Sequence, residues 1–91
     1  MTLELIRQQR ETAERLREFW NLYMTLPIVT EQCMTWLDLY PEEVIQYGVK
    51  EAARKQALLR GQMTLDALIA YATRTMFHEN SRRATRETRI A

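Results

Sequence analysis

Residues 41–79 read PEEVIQYGVKEAARKQALLRGQMTLDALIAYATRTMFHE, and their periodicity decides the fold. Pro41 has a helical φ and no N–H to leave unpaired, so it breaks any preceding helix and opens a new one. Glu42 and Glu43 then occupy the first turn, where the positive end of the helix dipole favours anions. At about 100° per residue, Ile45, Gly48, Val49 and Ala52 share one face, while Lys50 and Arg54 lie opposite with Tyr47 beside them. The pattern predicts an amphipathic helix to about Arg60. Gly48 falls on its core side, where a missing side chain lets another helix approach closely at some cost in helix stability. Gly61 is placed to end this helix in a left-handed conformation, and Thr64 to cap the next, with Asp66 in the first turn. That next helix is predicted to reach about Glu79. Its apolar stripe is Leu65, Leu68, Ile69, Ala72 and Met76; Tyr71, Arg74, His78 and Arg82 take the other side.

Toward the N-terminus, segment 3–24 spaces Ile6, Ala13, Leu16, Trp20 and Tyr23 as a long amphipathic helix with Gln9 as the polar interruption. Pro27 suits the first turn of a second helix whose buried stripe would be Val29, Cys33, Trp36 or Leu37, and Tyr40. Trp20 and Trp36 lie on the apolar stripes of their helices and are expected in the core rather than at a partner surface. Val and Ile never alternate over a strand's length, and no hairpin dipeptide occurs. The expectation is an all-α, single-domain bundle of about four helices over residues 1–80. Residues 81–91 would follow as a basic tail, either mobile or an extension of the fourth helix.

Composition narrows the chemistry. The 91 residues are 46% hydrophobic and contain two Gly and two Pro, too apolar for disorder and too few for two ordinary domains. One Cys (Cys33), one His (His78) and one Ser (Ser81) exclude an intramolecular disulfide and leave a structural zinc site short of ligands. A Ser-His-Asp site would need Ser81, His78 and either Asp38 or Asp66, with the serine near a helix end. A di-iron bundle would need Glu three residues before His78, where Thr75 stands. Gly48 and Gly61 are too far apart for a phosphate loop. These gaps point to a non-enzyme with no metal and no cofactor. The lone cysteine, the polar Met1–Arg10 segment and the absence of an apolar run of roughly 18 residues point to a cytoplasmic protein without a membrane segment.

The formal charge is only +1, but it is distributed in segments. Residues 21–49 hold Glu31, Asp38, Glu42 and Glu43 and no Lys or Arg, whereas 50–60 hold Lys50, Arg54, Lys55 and Arg60 against Glu51. Arginines flank Tyr71 and His78 on the predicted fourth helix and continue through Arg82, Arg83, Arg86 and Arg89. Phosphate contact combined with stacking uses this mixture. The nucleic-acid surface expected from these residues is Tyr71, Arg74, His78, Arg82, Arg83 and Arg86 with Lys50 and Arg54. Glu31, Asp38, Glu42 and Glu43 would stay clear of DNA and face a basic partner protein. The bland alternative is a solvated basic face.

Trp36-Leu37-Asp38, then Pro41-Glu42-Glu43-Val44-Ile45 and Lys50-Glu51-Ala52, resemble the C-terminal domain of the DnaD-like replication initiation proteins. Met63-Thr64-Leu65 to Leu68-Ile69 matches the placement of that family's next helix, so the resemblance spans residues 20 to 78. It implies a small helical module binding DNA and replication partners, with DNA contact at Arg74, His78, Arg82 and Arg83. The family's Tyr and Trp positions in that helix hold Ala67 and Thr75 in this chain. A fainter similarity, Leu26-Pro27-Ile28-Val29-Thr30-Glu31 followed by Pro41-Glu42, is to the theta subunit of bacterial DNA polymerase III. It implies a non-catalytic polymerase accessory protein. The competing class is a phage- or plasmid-type regulator docking its first helix on a host protein, or pairing Leu3, Leu5, Ile6 and Ala13 between two copies.

Overall fold

A computed structural model describes residues 2–90, with side chains for residues 2–86. The helical hairpin expected from residues 41–79 is its largest packed unit, formed by α3 (Glu42–Leu58) and α4 (Leu65–Ile90). Two further helices, α1 (Leu3–Tyr23) and α2 (Thr30–Leu39), pack on each other, and α1 also touches α3. No strand occurs among the described residues, and the fold is a small all-α bundle. It measures 40 × 37 × 17 Å, so it is nowhere more than about two helices deep.

The turns are built as their residues require. Thr2 caps α1 by accepting from the Leu5 N–H, and Thr64 caps α4 by accepting from Ala67. After α3, Gly61 N–H reaches the Gln56 carbonyl and Arg60 N–H the Ala57 carbonyl, a Schellman turn. Gly61 has the expected positive φ, 73°, but the first left-handed position belongs to Arg60, at 55°. The helix therefore stops at Leu58, two residues before Arg60.

Two boundaries differ from expectation. Helix α2 begins at Thr30, not in the turn of Pro27. The Trp20 indole N–H donates to the Leu26 carbonyl at 2.7 Å, and the segment that follows carries Ile28 into the core, leaving Val29 as an exposed N-cap instead of a buried stripe residue. A residue before proline also resists the helical region. Helix α4 does not stop near Glu79 but continues to Ile90, so 81–90 of the expected tail is helical backbone. No Gly or Pro interrupts it, and Glu79 supports the next turn through Arg82 and Arg83. Ala91 lies outside the described residues.

The core follows the predicted stripes at Ala13, Leu16 and Trp20 from α1, Cys33 and Trp36 from α2, Ile45, Val49 and Ala52 from α3, and Leu68, Ala72 and Met76 from α4; Val44, outside the expected α3 stripe, is buried as well, and Leu65 and Ile69 are only partly buried. Ile6 and Tyr23, expected in the α1 stripe, are exposed. Trp20 and Trp36 meet at 5.9 Å between ring centroids. The Trp36 indole N–H donates to Thr73 Oγ1, whose own hydroxyl donates to the Ile69 carbonyl, so α2 is fastened to α4 without an unpaired indole. Truncating a buried Trp costs about 3–5 kcal/mol, a large share of a small domain's ~5–15 kcal/mol, so these two rings are essential anchors.

Gly48 is buried where α4 crosses α3. A Cβ there would lie 2.5 Å from Met76 Cγ and 2.9 Å from the Ala72 carbonyl oxygen, and the backbone atom cannot swing away. Gly48→Ala is expected to lose about 1–3 kcal/mol in urea unfolding even though alanine favours the helix by about 1 kcal/mol. Arg60→Gly is expected to gain up to about 1 kcal/mol by relieving the left-handed arginine. An unchanged midpoint for Gly48→Ala would show that α3 and α4 are not held in contact there.

Candidate functional site

Glu79 precedes Arg82 and Arg83 by three and four residues, the spacings that meet on a helix. Its side chain is only 5% exposed. Arg82 Nε donates to Oε1 at 2.9 Å and Arg82 Nη2 to Oε2 at 2.7 Å, while Arg83 Nε donates to the same Oε2 at 2.7 Å. These charge-assisted bonds hold the carboxyl at about 2, overcoming the opposite pull of desolvation. Arg82 is held correspondingly above its ordinary value by the Glu79 hydrogen bond and charge.

This cluster forms one wall of an open cleft of about 280 Å³ between α3 and α4, lined by Tyr47, Thr75, His78, Glu79 and Arg82. Tyr47 comes from α3 and is 39% exposed. The Thr75 hydroxyl donates to the Tyr71 carbonyl, which leaves its oxygen as an acceptor. His78 is exposed and packs edge-on against Phe77 at 5.5 Å. Further along, Lys55 lies 5.9 Å from the Tyr71 ring centroid. Arg54 pairs with Glu51, which raises its pKa by hydrogen bond and charge, with smaller contributions from Tyr47 and Tyr71.

The expected nucleic-acid residues therefore fall into distinct environments. Arg82 and His78 line the cleft, Arg83 secures Glu79 from the side, and Arg54 lies within electrostatic reach of both tyrosines. Arg74 and Arg86 are exposed and make no ion pair with a described residue. Tyr71 is half-buried against the core under Lys55. Lys50 turns toward α1, its ammonium 5.9 Å from the Phe19 ring centroid. The side chain of Arg89 lies outside those described.

The acidic residues expected to face a partner are also divided. Asp38 accepts from Gln9 Nε2 at 2.8 Å, and Glu42 is 3.8 Å from Arg15, so both engage α1. Glu31 and Glu43 are exposed. Cys33 is buried, and desolvation pushes its thiol up to about 12 against the weaker opposing influence of Arg17, which leaves it inert as a nucleophile. Among the described residues no group of His, Cys, Asp or Glu is arranged to hold a metal, and no helix is long and apolar enough to cross a membrane.

Sequence reasoning placed Tyr47 only beside the basic side of its helix and did not bring Thr75 or Glu79 into the site. The 79–83 spacing carried a signal for Glu79; the meeting of Tyr47 with Thr75 depends on how α3 crosses α4. Compared with known protein families, curated protein sequences and solved structures, the chain matches none. Fold and site together define a small all-α bundle with an arginine-clamped cleft on one side of its helical hairpin.

Because Glu79 titrates near 2 when folded against 4.5 ordinarily, its contribution to stability is complete above about pH 4.5 and is lost as the pH falls toward 2. Glu79→Gln is expected to lower Tm at neutral pH, with the gap to wild type closing over that acid range. A gap that stays constant down to pH 2 would show that the cluster adds no pH-dependent stability.

Proposed function

We propose that this chain is a non-enzymatic, cytoplasmic accessory protein of DNA replication or DNA binding that contacts nucleic-acid phosphates through the basic flank of α4. The observation that carries the reading is the row of cations along that flank: Arg74, Arg82 and Arg86, with His78 among them and Arg54 and Lys55 across the groove. Guanidinium groups suit phosphate oxygens by their fork of donors, and the Glu79 anchor reduces the freedom that Arg82 would lose on binding. The DnaD-like resemblance implies DNA contact at the same end of this helix. Glu31 and Glu43 stay exposed, available to a basic replication partner.

A second reading, a regulator that binds a host protein or a second copy through α1, is favoured by Leu3, Leu5 and Ile6, which are 82%, 55% and 44% exposed. Ala13 is buried and takes no part in such a surface. Light scattering distinguishes the self-association form: a dimer that Ile6→Glu dissociates supports it, and a monomer at high concentration removes it.

The nucleic-acid reading is tested by fluorescence anisotropy of labelled oligonucleotides across a salt series. Arg82→Glu is a poor probe because it would place a second carboxylate against Glu79. Arg74→Glu combined with Arg86→Glu leaves the cluster intact. Wild type is expected to bind with a steep salt dependence, and the double variant to bind more weakly, with a log–log salt slope shallower by about one for each phosphate it no longer neutralises. Unchanged affinity in the folded double variant would overturn the proposed surface.

A further inference from the structure

The α3–α4 cleft differs from a plain basic patch because one wall is aromatic. We infer that it receives one unstacked nucleotide of a single strand, with the base against Tyr47 and the adjoining phosphate on Arg82 and His78; this rests on the nucleic-acid reading above.

Size and shape support one nucleotide rather than a separate cofactor. About 280 Å³ lies just below the ~300–1,000 Å³ of enclosed small-molecule sites, and the cleft is open to solvent, so a polymer can continue beyond it. Of the two groove tyrosines, Tyr71 is covered by Lys55, whereas Tyr47 lines the cleft and is 39% exposed. Arg82 spends two of its five N–H donors on Glu79, which fixes the guanidinium and leaves three for an incoming phosphate. The Thr75 oxygen adds an acceptor for a base amino group or a sugar hydroxyl.

The choice of single strand over duplex follows from the same geometry. Duplex bases stack on one another and present only their edges in the grooves, so the Tyr47 ring meets a base face only when that base is free. Stacking is also indifferent to base identity, because every base has a π-face. The inferred ligand is therefore single-stranded nucleic acid bound with little sequence preference.

The test uses the full chain and three labelled probes of equal length: oligo(dT), an abasic strand with the same phosphates, and a duplex. Wild type is expected to bind oligo(dT) about tenfold or more tightly than the abasic strand, and more tightly than the duplex. Tyr47→Leu should erase the preference over the abasic strand and keep the salt dependence, while Tyr47→Phe should retain both. Salt-dependent binding that is equal for oligo(dT) and the abasic strand, or equal for strand and duplex, overturns the inference and leaves the phosphate surface standing. Absence of salt-dependent binding to every probe overturns both. Circular dichroism reports whether the leucine variant folds; if it does not, the abasic comparison on wild type still decides.

Discussion

The closeness of α3 and α4 at Gly48 is the constraint from which the rest of the structure follows. Met76 Cγ and the Ala72 carbonyl occupy the space where a Cβ would be, so the two helices lie nearer than side chains usually permit. The residues near this crossing in sequence, Tyr47 on one helix and Thr75, His78 and Glu79 on the other, line the cleft together with Arg82. The width of the cleft is therefore set by a core glycine, and its walls are neighbours of that glycine instead of loop residues. Sites built on packed helices hold their geometry better than sites on connecting segments.

Electrostatically the protein relies on sorting more than on excess. Cations and anions nearly balance over the whole chain, yet several are engaged within the fold: Arg54 by Glu51, Arg15 by Glu42, and Arg82 and Arg83 by Glu79. Exposed ion pairs add little stability, so the pairs at Arg15 and Arg54 chiefly orient side chains. The Glu79 cluster differs because its carboxylate is removed from water and accepts three N–H bonds. Arg74 and Arg86 stand outside these pairings, and they supply the exposed charge of the basic flank.

Periodicity was enough to read which faces are buried. Ile45, Val49 and Ala52 on α3, Leu68, Ala72 and Met76 on α4, and Trp20 and Trp36 all occupy the core their spacing implies. Turn chemistry was legible at Thr64 and Gly61, where cap and left-handed φ follow from residue type. Helix ends were less so. Pro27 is compatible with a helix start, but the Trp20 hydrogen bond to Leu26 and the burial of Ile28 prevail, and these are tertiary facts absent from local sequence. The end of α4 was obscured for the converse reason: an arginine-rich segment with few apolar residues reads as undocked, although its composition favours helix and Glu79 braces its start. At the site, cations were visible by type, but the partnership of Tyr47 with α4 required the crossing of two helices, and a sequence supplies faces without neighbours.

Consecutive helices pack on each other, α1 with α2 and α3 with α4, and the two pairs are linked by α1 and α2 against α3 and by the Trp36 hydrogen bond to Thr73. Packing of this kind closes short loops first, and helical proteins with local topology fold in microseconds to milliseconds. Trp20 belongs to the first pair, and Trp36 joins that pair to Thr73 of the second. Trp36 is buried at the seam between the two halves, so its fluorescence reports the docking of one hairpin on the other, giving the chain an intrinsic clock for the last step of its own assembly.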